Sequence, residues 1–581
     1  MDNKYYNSER SVQILISLLK QHGIKKIIAS PGTTNIPFVG SCMHDPWFEM
    51  YSNVDERGAA YMACGLAAES GEPVVISCTG ATASRNYLPG LTEAFYRKLP
   101  VIAVTSTQRT DRVGHLCEQV IDRGNIPYDV ALVSEYIPIV KDSEDEWSNT
   151  IKINRAILAT NRKGGGPTHI NLETSYSKDY SVKVIPEVRK ISRICYDDSF
   201  PELPQGKKAV FIGNHKKMTE EETTVIDSFC ENNNAVVLCD HTSGYKGKYR
   251  INIALYMYQD LGEKEFASID LLIHIGEVSG AHIGFKPKQV WRVNPDGEIR
   301  DCFRKLTYVF EMKEREFFNH YFQFDAQSNT SLFHEYDDLM KDLRNRVPVN
   351  MPFSNIWVAQ QTAERLPKGA ALHLGILTSL RSWNFFEIPD SVYAYSNTGG
   401  FGIDGNMSTM VGGSLVCPNQ IHYIVLGDLS FFYDLNASGN RHVGRNIRVL
   451  LVNNGVGAEF KIYTHAGLQC FGDDADAYIA ARGHFGKQSD ALIKHYAEDL
   501  GFEYLRASTK EEYLANLERF LMPKLTDKPM MFEIFTNSED ENSALHSICN
   551  LSVSLSGLLK SITRKTLGEK GVTRLKEALK K

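Results

Sequence analysis

Two residues of this chain combine type and spacing in a way that could do chemistry: Asp428 and Asn454, 26 positions apart. Asp428 follows the apolar run HYIVLG within LGDLSFFYDLN (426–436), and Asn454 closes the next apolar run, IRVLLVNN, before GVG. A diphosphate held through Mg²⁺ needs a hard carboxylate and a neutral oxygen donor converging on an octahedral ion, with backbone amides left free for phosphate oxygens. Both residues leave the ends of consecutive expected strands, and the helix between them begins where its dipole favours an anion. Taken singly, G-D and N-N-G are ordinary turn sequences. The pair at this spacing is the signal.

Elements able to position such residues recur along the chain. Short β-rich runs ending in Gly, Ser or Thr alternate with helical stretches, the pattern of a parallel sheet covered by helices on both faces. The expected strands are KKIIAS, PVVISCT and PVIAVTST in the first third, then KAVFIGN, NAVVLCD, DLLIHIG and VWRVNP, then AALHLGI, SVYAYSN, HYIVLGD and IRVLLVNN. At 581 residues the chain exceeds what one core can organise. The series predicts an α/β fold of three doubly wound parallel-sheet domains in tandem, over residues 1–185, 186–347 and 348–545. Linkers are expected near Pro186 to Pro204 and Pro348 to Pro352. Residues 546–581 form a tail in which Lys560, Arg564, Lys565, Lys570, Arg574, Lys576, Lys580 and Lys581 oppose only Glu569 and Glu577. It reads as short amphipathic helices, either a solvated terminus or a weak contact with an anionic membrane surface or a partner.

The net charge of −6 gives no reason to expect nucleic acid. The 11 cysteines form no C-x-x-C pair, which fits reduced thiols rather than a disulfide framework or a zinc site. A polar start leads into an amphipathic helix with no signal-peptide core, and no run of about 20 apolar residues follows. A soluble cytoplasmic protein acting on small molecules is expected.

SNTGGFGIDGNMST (396–409) and GDLSFFYDLN resemble segments of the menaquinone-pathway 2-succinyl-5-enolpyruvyl-6-hydroxy-3-cyclohexene-1-carboxylate synthase family, within the thiamine-diphosphate superfamily. SPG at Ser30 to Gly32, DERGAAYMACGLA (55–67), NYLPGLTEA (86–94) and Gln119 are similar to that family's pyrimidine-binding domain. The similarity spans residues 1 to about 540 and is weakest in the middle. It implies pyrimidine-binding, central ancillary and diphosphate-binding domains, with thiamine diphosphate and Mg²⁺ as cofactors. It further implies that Glu56 protonates the cofactor's aminopyrimidine nitrogen, with Gln119 as a second catalytic residue. A carboxyl group in a largely apolar crevice can carry that proton at neutral pH. Pro31, Asn86, Gly402, Ile403, Asp404, Gly427, Leu429 and Ser430 would contact the cofactor, Ile403 propping it into a V shape. Asp428, Asn454 and the Val456 carbonyl would be the metal ligands.

The chain departs from the family where substrates would be gripped. Thr34 in SPGTTNIP and Thr398 in SNTGG stand where the family has arginines, so two guanidiniums able to hold a carboxylate bidentately are absent. Arg85, Arg109, Arg112 and Arg381 are the basic groups that could compensate, and each also reads as an ordinary ion-pair residue. His115 and His465 fall in expected loops, where a histidine either moves protons or is structurally satisfied. Glu459 in GAEFKIY could select a polar or cationic acceptor.

The resemblance thus implies a carboligase: it decarboxylates a 2-oxo acid donor and transfers the acyl anion to a small-molecule acceptor, with substrates different from those of the menaquinone enzyme. Two readings stay beside it, a non-ligating 2-oxo acid decarboxylase and a catalytically inactive binding or scaffold protein on the same fold. A Rossmann dehydrogenase would need G-x-G-x-x-G after the first strand, which is not there. The resemblance also implies a homodimer or tetramer with shared active sites. Some relatives bind FAD in the central domain, but no residue pattern here signals it.

Overall fold

The computed structural model describes residues 5–124, 126–260, 265–281, 284–322, 328–483 and 489–551. Each run expected as a strand forms one, because runs such as VVISC and IRVLLVN are buried at every position, as strands covered on both faces must be. The chain groups into two compact units, Met1–Phe200 with Asp296–Glu311, and Pro201–Pro295 with Met312–Lys581.

In the first unit Lys26–Ala29 (β1), Glu49–Ser52 (β2), Val74–Cys78 (β3), Val101–Thr107 (β4), Ser134–Ile137 (β5) and Thr168–Glu173 (β6) form a parallel sheet in the order β2-β1-β3-β4-β6-β5. Alternate residues feed two separate cores, Ile27, Val75, Ile102 and Val104 in one, and Ile28, Val74, Ile76, Val101 and Ala103 in the other. This is the period of two of a strand buried on both faces. The second core holds helices Glu56–Ser70 and Leu88–Tyr96 close together, and a Cβ on Gly90 would lie 2.4 Å from that of Ala60. The small residues of the 55–67 and 86–94 segments therefore serve helix packing. The first helix, Arg10–Gln21, is the expected amphipathic helix and is buried along the whole of residues 11–19.

The stretch expected as a linker contains a short strand, Ser192–Ile194 (β7). Three residues are too few to show a period in the sequence. In the second unit Lys208–Ile212 (β8), Ala235–Cys239 (β9), Arg250–Asn252 (β10), Ser268–Ile275 (β11) and Lys286–Val293 (β12) run in parallel in the order β10-β9-β8-β11-β12. Leu306–Phe310 (β13) belongs to the first unit again and pairs in parallel with β7.

The last sheet comprises Ala371–Leu374 (β14), Tyr393–Tyr395 (β15), His422–Gly427 (β16), Ile447–Asn453 (β17), Glu503–Ala507 (β18) and Met530–Phe535 (β19), again all parallel, in the order β15-β14-β16-β17-β19-β18. The chain thus carries three parallel-sheet α/β domains in tandem, and the first and last sheets share one strand order. In each of these two the chain direction reverses beside its first strand, between β1 and β3 and between β14 and β16. Ligands of open α/β sheets bind outside the carboxyl ends of the strands at such a switch point.

No disulfide joins any of the 11 cysteines. Among the described residues no helix is long and apolar enough to cross a membrane. The basic tail from Ser552 onward lies outside the described residues.

Candidate functional site

At the β14/β16 switch point the strand ends open onto a crevice with a cavity volume of about 100 Å³. Ile403, residues 427–430, Asn454 and residues 456–460 line it. Asp428 is the first residue of the helix that leaves β16 and is only 2% exposed. Its Oδ2 accepts the Gly455 N–H at 3.1 Å, and Asn454 Oδ1 accepts the Val456 N–H at 3.2 Å. Gly455 takes φ +65°, a left-handed conformation that glycine adopts without strain. The two strand ends are therefore joined, and one carboxylate, one side-chain amide and one main-chain segment meet at one turn. A hard divalent cation such as Mg²⁺ takes this kind of oxygen set. Among the described residues no group of three His, Cys, Asp or Glu side chains could hold a metal.

The two segments that carry the family resemblance are bonded to each other. The Ile403 carbonyl accepts the Ser430 hydroxyl at 2.6 Å and the Asn406 amide at 2.7 Å, and the Asp434 carboxylate accepts both the N–H and the hydroxyl of Ser408 at 2.6 Å. Gly402 and Asp404 close the turn around Ile403, since a Cβ on Gly402 would lie 2.3 Å from Asp404 Oδ1. Ile403 is thus held at a set height above the crevice, with Gly427 and Leu429 forming its wall.

Arg381 and Glu459 engage each other. Arg381 Nη2 donates to both Glu459 oxygens at 2.7 and 2.8 Å, and the guanidinium lies over the Tyr258 ring at 5.6 Å. Burial pushes the Arg381 pKa down, but the Glu459 charge more than reverses this and raises it overall. Thr398, buried, accepts from the Asn214 amide at 2.8 Å and does not line the crevice. His465 caps the helix Ala466–Phe471, its ring accepting the Gly467 N–H at 2.9 Å.

In the first unit the expected residues stand on the segments that follow successive strands: Pro31 and Thr34 after β1, Glu56 after β2, Asn86 after β3 and Gln119 after β4. Thr34 is 2% exposed. Its hydroxyl bonds the Thr79 hydroxyl at 2.5 Å and donates to the Ser106 carbonyl at 3.0 Å, and its carbonyl accepts the Thr174 hydroxyl at 2.8 Å. It stitches four strand ends together. Glu56 opens the helix Glu56–Ser70, whose N-cap Asp55 accepts the Gly58 N–H at 3.0 Å. Glu56 lies close to Cys78 and Tyr87. Burial pushes the Cys78 thiol up to about 12, and burial followed by the neighbouring Cys78 raises the Tyr87 hydroxyl well above its usual value; the Glu56 charge makes the smallest contribution to each. Gln119 has φ +59°, and its carbonyl would be 2.7 Å from a Cβ on Gly80, so only glycine fits beneath it. Arg85 donates to the Asp122 carbonyl, Arg109 pairs with Asp111 and Arg112 donates to Gln108, while His115 is exposed.

Several participants are not legible in the sequence. Leu377, at the crevice, has φ +68°, a strained conformation for leucine that sites of function tend to keep. Arg123 is 4% exposed with no side-chain hydrogen-bond partner among the described residues, and burial pushes it down to about 10. Glu541 is buried and accepts the N–H of the crevice residue Asn355 at 3.0 Å and the Thr536 hydroxyl at 2.8 Å. Burial pushes its carboxyl up from 4.5 to about 7 against those two bonds. A carboxyl raised in the folded state binds its proton more tightly there than when unfolded, so its contribution is complete below the unfolded value and is lost as pH rises through the folded one. Glu541→Gln is therefore expected to be more stable than wild type by about 2–3 kcal/mol above pH 7 and nearly equal to it at pH 4. Thermal unfolding of both proteins from pH 4 to 8 checks this, and a gap that does not widen with pH contradicts it.

Residues 10–126 match the family model described as thiamine pyrophosphate enzyme, N-terminal TPP binding domain. The chain is 30% identical over 559 residues to the 2-succinyl-5-enolpyruvyl-6-hydroxy-3-cyclohexene-1-carboxylate synthase of Bacteroides thetaiotaomicron, covering 92% of this chain and 97% of that protein. It is 27% identical over 548 residues to the synthase of the same name from Flavobacterium johnsoniae, covering 90% and 95%. The Porphyromonas gingivalis synthase is 25% identical over 564 residues, with 91% and 95% covered.

Proposed function

This chain belongs to the thiamine-pyrophosphate enzyme family of the 2-succinyl-5-enolpyruvyl-6-hydroxy-3-cyclohexene-1-carboxylate synthases, and we propose that it is a carboligase that decarboxylates a 2-oxo acid and passes the acyl unit to a second small molecule. The observation that carries this reading is the meeting of Asp428, Asn454 and the Ile403 turn around one crevice at a switch point. When bound, thiamine diphosphate supplies a nucleophile for the oxo carbon and an electron sink as CO₂ leaves.

The residues would divide the work as follows. Asp428, Asn454 and the Val456 carbonyl would hold Mg²⁺, and the N–H groups of residues 429 and 430 would be left to bond a diphosphate. Ile403, fixed through Ser430 and Asn406, supports the cofactor between its two ends. Glu56 would hold a proton for the aminopyrimidine nitrogen, and Gln119 would orient the reacting groups. The pyrimidine-binding and diphosphate-binding surfaces pair across a homodimer or tetramer. Thr34 and Thr398 leave two positions without guanidiniums, which favours substrates other than those named for the relatives. Eleven cysteines without a disulfide fit a reducing cytoplasm.

The test is calorimetry of thiamine diphosphate with Mg²⁺, followed on the same sample by CO₂ release from a panel of 2-oxo acids with and without aldehyde and ketone acceptors. Saturable binding and a ligated product are expected. Free aldehyde as the sole product would assign the protein as a simple decarboxylase, and binding without any turnover would leave only a cofactor-binding scaffold.

A further inference from the structure

Glu541 stands in the first turn of the helix Ser538–Cys549 and is 7% exposed. One of its oxygens, Oε1, accepts both the Asn355 N–H and the Thr536 hydroxyl. Asn355 opens the helix Asn355–Thr362 and carries the connection onward, its side-chain amide donating to the Ser379 hydroxyl at 3.3 Å. Ser379 lies in the first turn of the helix Thr378–Asn384, two residues after Leu377. Asn355, Leu377, Thr378 and Ser379 all line the crevice. A leucine keeps a φ of +68° only where its surroundings over-determine it, and the bond from Asn355 to Ser379 is part of what does so. Glu541 also borders a cavity of about 10 Å³, the scale of one water, together with Thr378, Arg381 and Ala458.

We propose that Glu541 is a positioning residue: its protonated carboxyl, through Asn355 and Ser379, holds the Leu377 turn of the crevice in place, and its ionisation lets that turn shift and slows the reaction. The effect on the reaction rests on the decarboxylating reading above; the effect on the turn does not. Burial pushes this carboxyl up to about 7 and Asp540 on its own helix adds to the rise, while the Asn355 and Thr536 bonds oppose it. The group is therefore neutral below that pH and charged above it. The other charges on elements packed against it are Arg381 on the helix Thr378–Asn384 and Glu459 and Lys461 on the turn 458–461. Glu459 holds Arg381, and Asp473 and Asp476 hold Lys461. The helix Asn355–Thr362 brings no charged side chain. An ionised Glu541 is stabilised by the Asn355 N–H, the Thr536 hydroxyl and water drawn into the small cavity, so it pulls on those bonds or rearranges around that water. The Asn355 amide transmits either movement to Ser379.

The experiment compares wild type from pH 5.5 to 8.5 with Glu541→Gln, which keeps an acceptor oxygen but cannot ionise. Tryptophan fluorescence, recorded without cofactor or substrate, reads the two joined helices, which carry Trp357 and Trp383. Wild type is expected to show a step centred near pH 7 that the variant lacks. With thiamine diphosphate and Mg²⁺ bound, kcat/KM for CO₂ release should be equal in the two proteins at the acid end, and wild type should fall about tenfold below the variant at the alkaline end. Ser379→Ala leaves the carboxyl and its own bonds intact but cuts the link to the turn, so it should keep the pH-dependent thermal stability and lose this fall in kcat/KM. Superimposable fluorescence titrations of wild type and Glu541→Gln overturn the inference whatever the enzyme turns over. A fluorescence step with a constant ratio of kcat/KM overturns the positioning role and confines Glu541 to stability. Absence of CO₂ from every 2-oxo acid overturns the decarboxylating reading, and the fluorescence titration then decides the turn alone.

Discussion

Glu56→Gln is expected to lower turnover by about 10²- to 10⁴-fold while thiamine diphosphate with Mg²⁺ still binds within a few-fold of wild-type affinity. The substitution keeps the size and shape of the side chain and leaves the helix start to Asp55, whose carboxylate already caps Gly58. What it removes is the ability to hold and return a proton. The neighbouring groups are poor replacements, because burial keeps both the Cys78 thiol and the Tyr87 hydroxyl protonated across the physiological range. Calorimetry on the variant separates binding from chemistry, and CO₂ release from the preferred 2-oxo acid measures the chemistry. Turnover within tenfold of wild type would remove Glu56 from the proton relay.

Asp428→Asn is expected to act at the other step. The amide oxygen can still accept the Gly455 N–H that Asp428 Oδ2 accepts at 3.1 Å, so the joined strand ends should survive. The negative charge facing the cation is lost. Partners that merely orient a metal ligand are worth about 10- to 100-fold in affinity, so the loss of the one anionic ligand should weaken cofactor binding by about 100-fold or more. At a thiamine diphosphate concentration near 100 times the wild-type Kd, cofactor adds about 2.7 kcal/mol to stability. The variant should lose most of this, seen as a thermal midpoint that no longer rises when cofactor and Mg²⁺ are added. An unchanged midpoint shift would take Asp428 out of the cation site.

Much of the architecture was legible because its causes are local. A strand buried on both faces must be apolar at nearly every position, so KKIIAS, PVVISCT or IRVLLVNN announce themselves. The short strand Ser192–Ile194 did not, since three residues carry no period, and its place depends on β13, over a hundred residues later. The candidate cofactor residues were readable for a different reason. Gly-Asp and Asn-Asn after apolar runs place polar groups at strand ends, and in a parallel sheet those ends lie at one edge.

The substrate end behaved otherwise. Arg381 and Glu459 were two separate candidates in the sequence, one for an anion and one for a cation or polar acceptor. In the fold they satisfy each other across 78 residues, which leaves neither charge alone. Thr34 stood out as a missing arginine, and the structure shows what its hydroxyl and carbonyl do instead, joining the segments after β1, β3 and β6 to β4. Leu377 and Glu541 carry no sequence signal, because a left-handed leucine and a buried carboxyl are products of their surroundings.

The sequence by itself determined the sheets, their parallel winding and the strand ends on which the candidate cofactor residues stand. These follow from apolar periodicity and turn chemistry, which act over a few residues. Only the tertiary structure decided which charges remain available in the crevice, how high Ile403 is held and which carboxyl group titrates near neutrality. Those properties depend on burial and on pairing between residues far apart in the chain, and neither is set until the chain has folded.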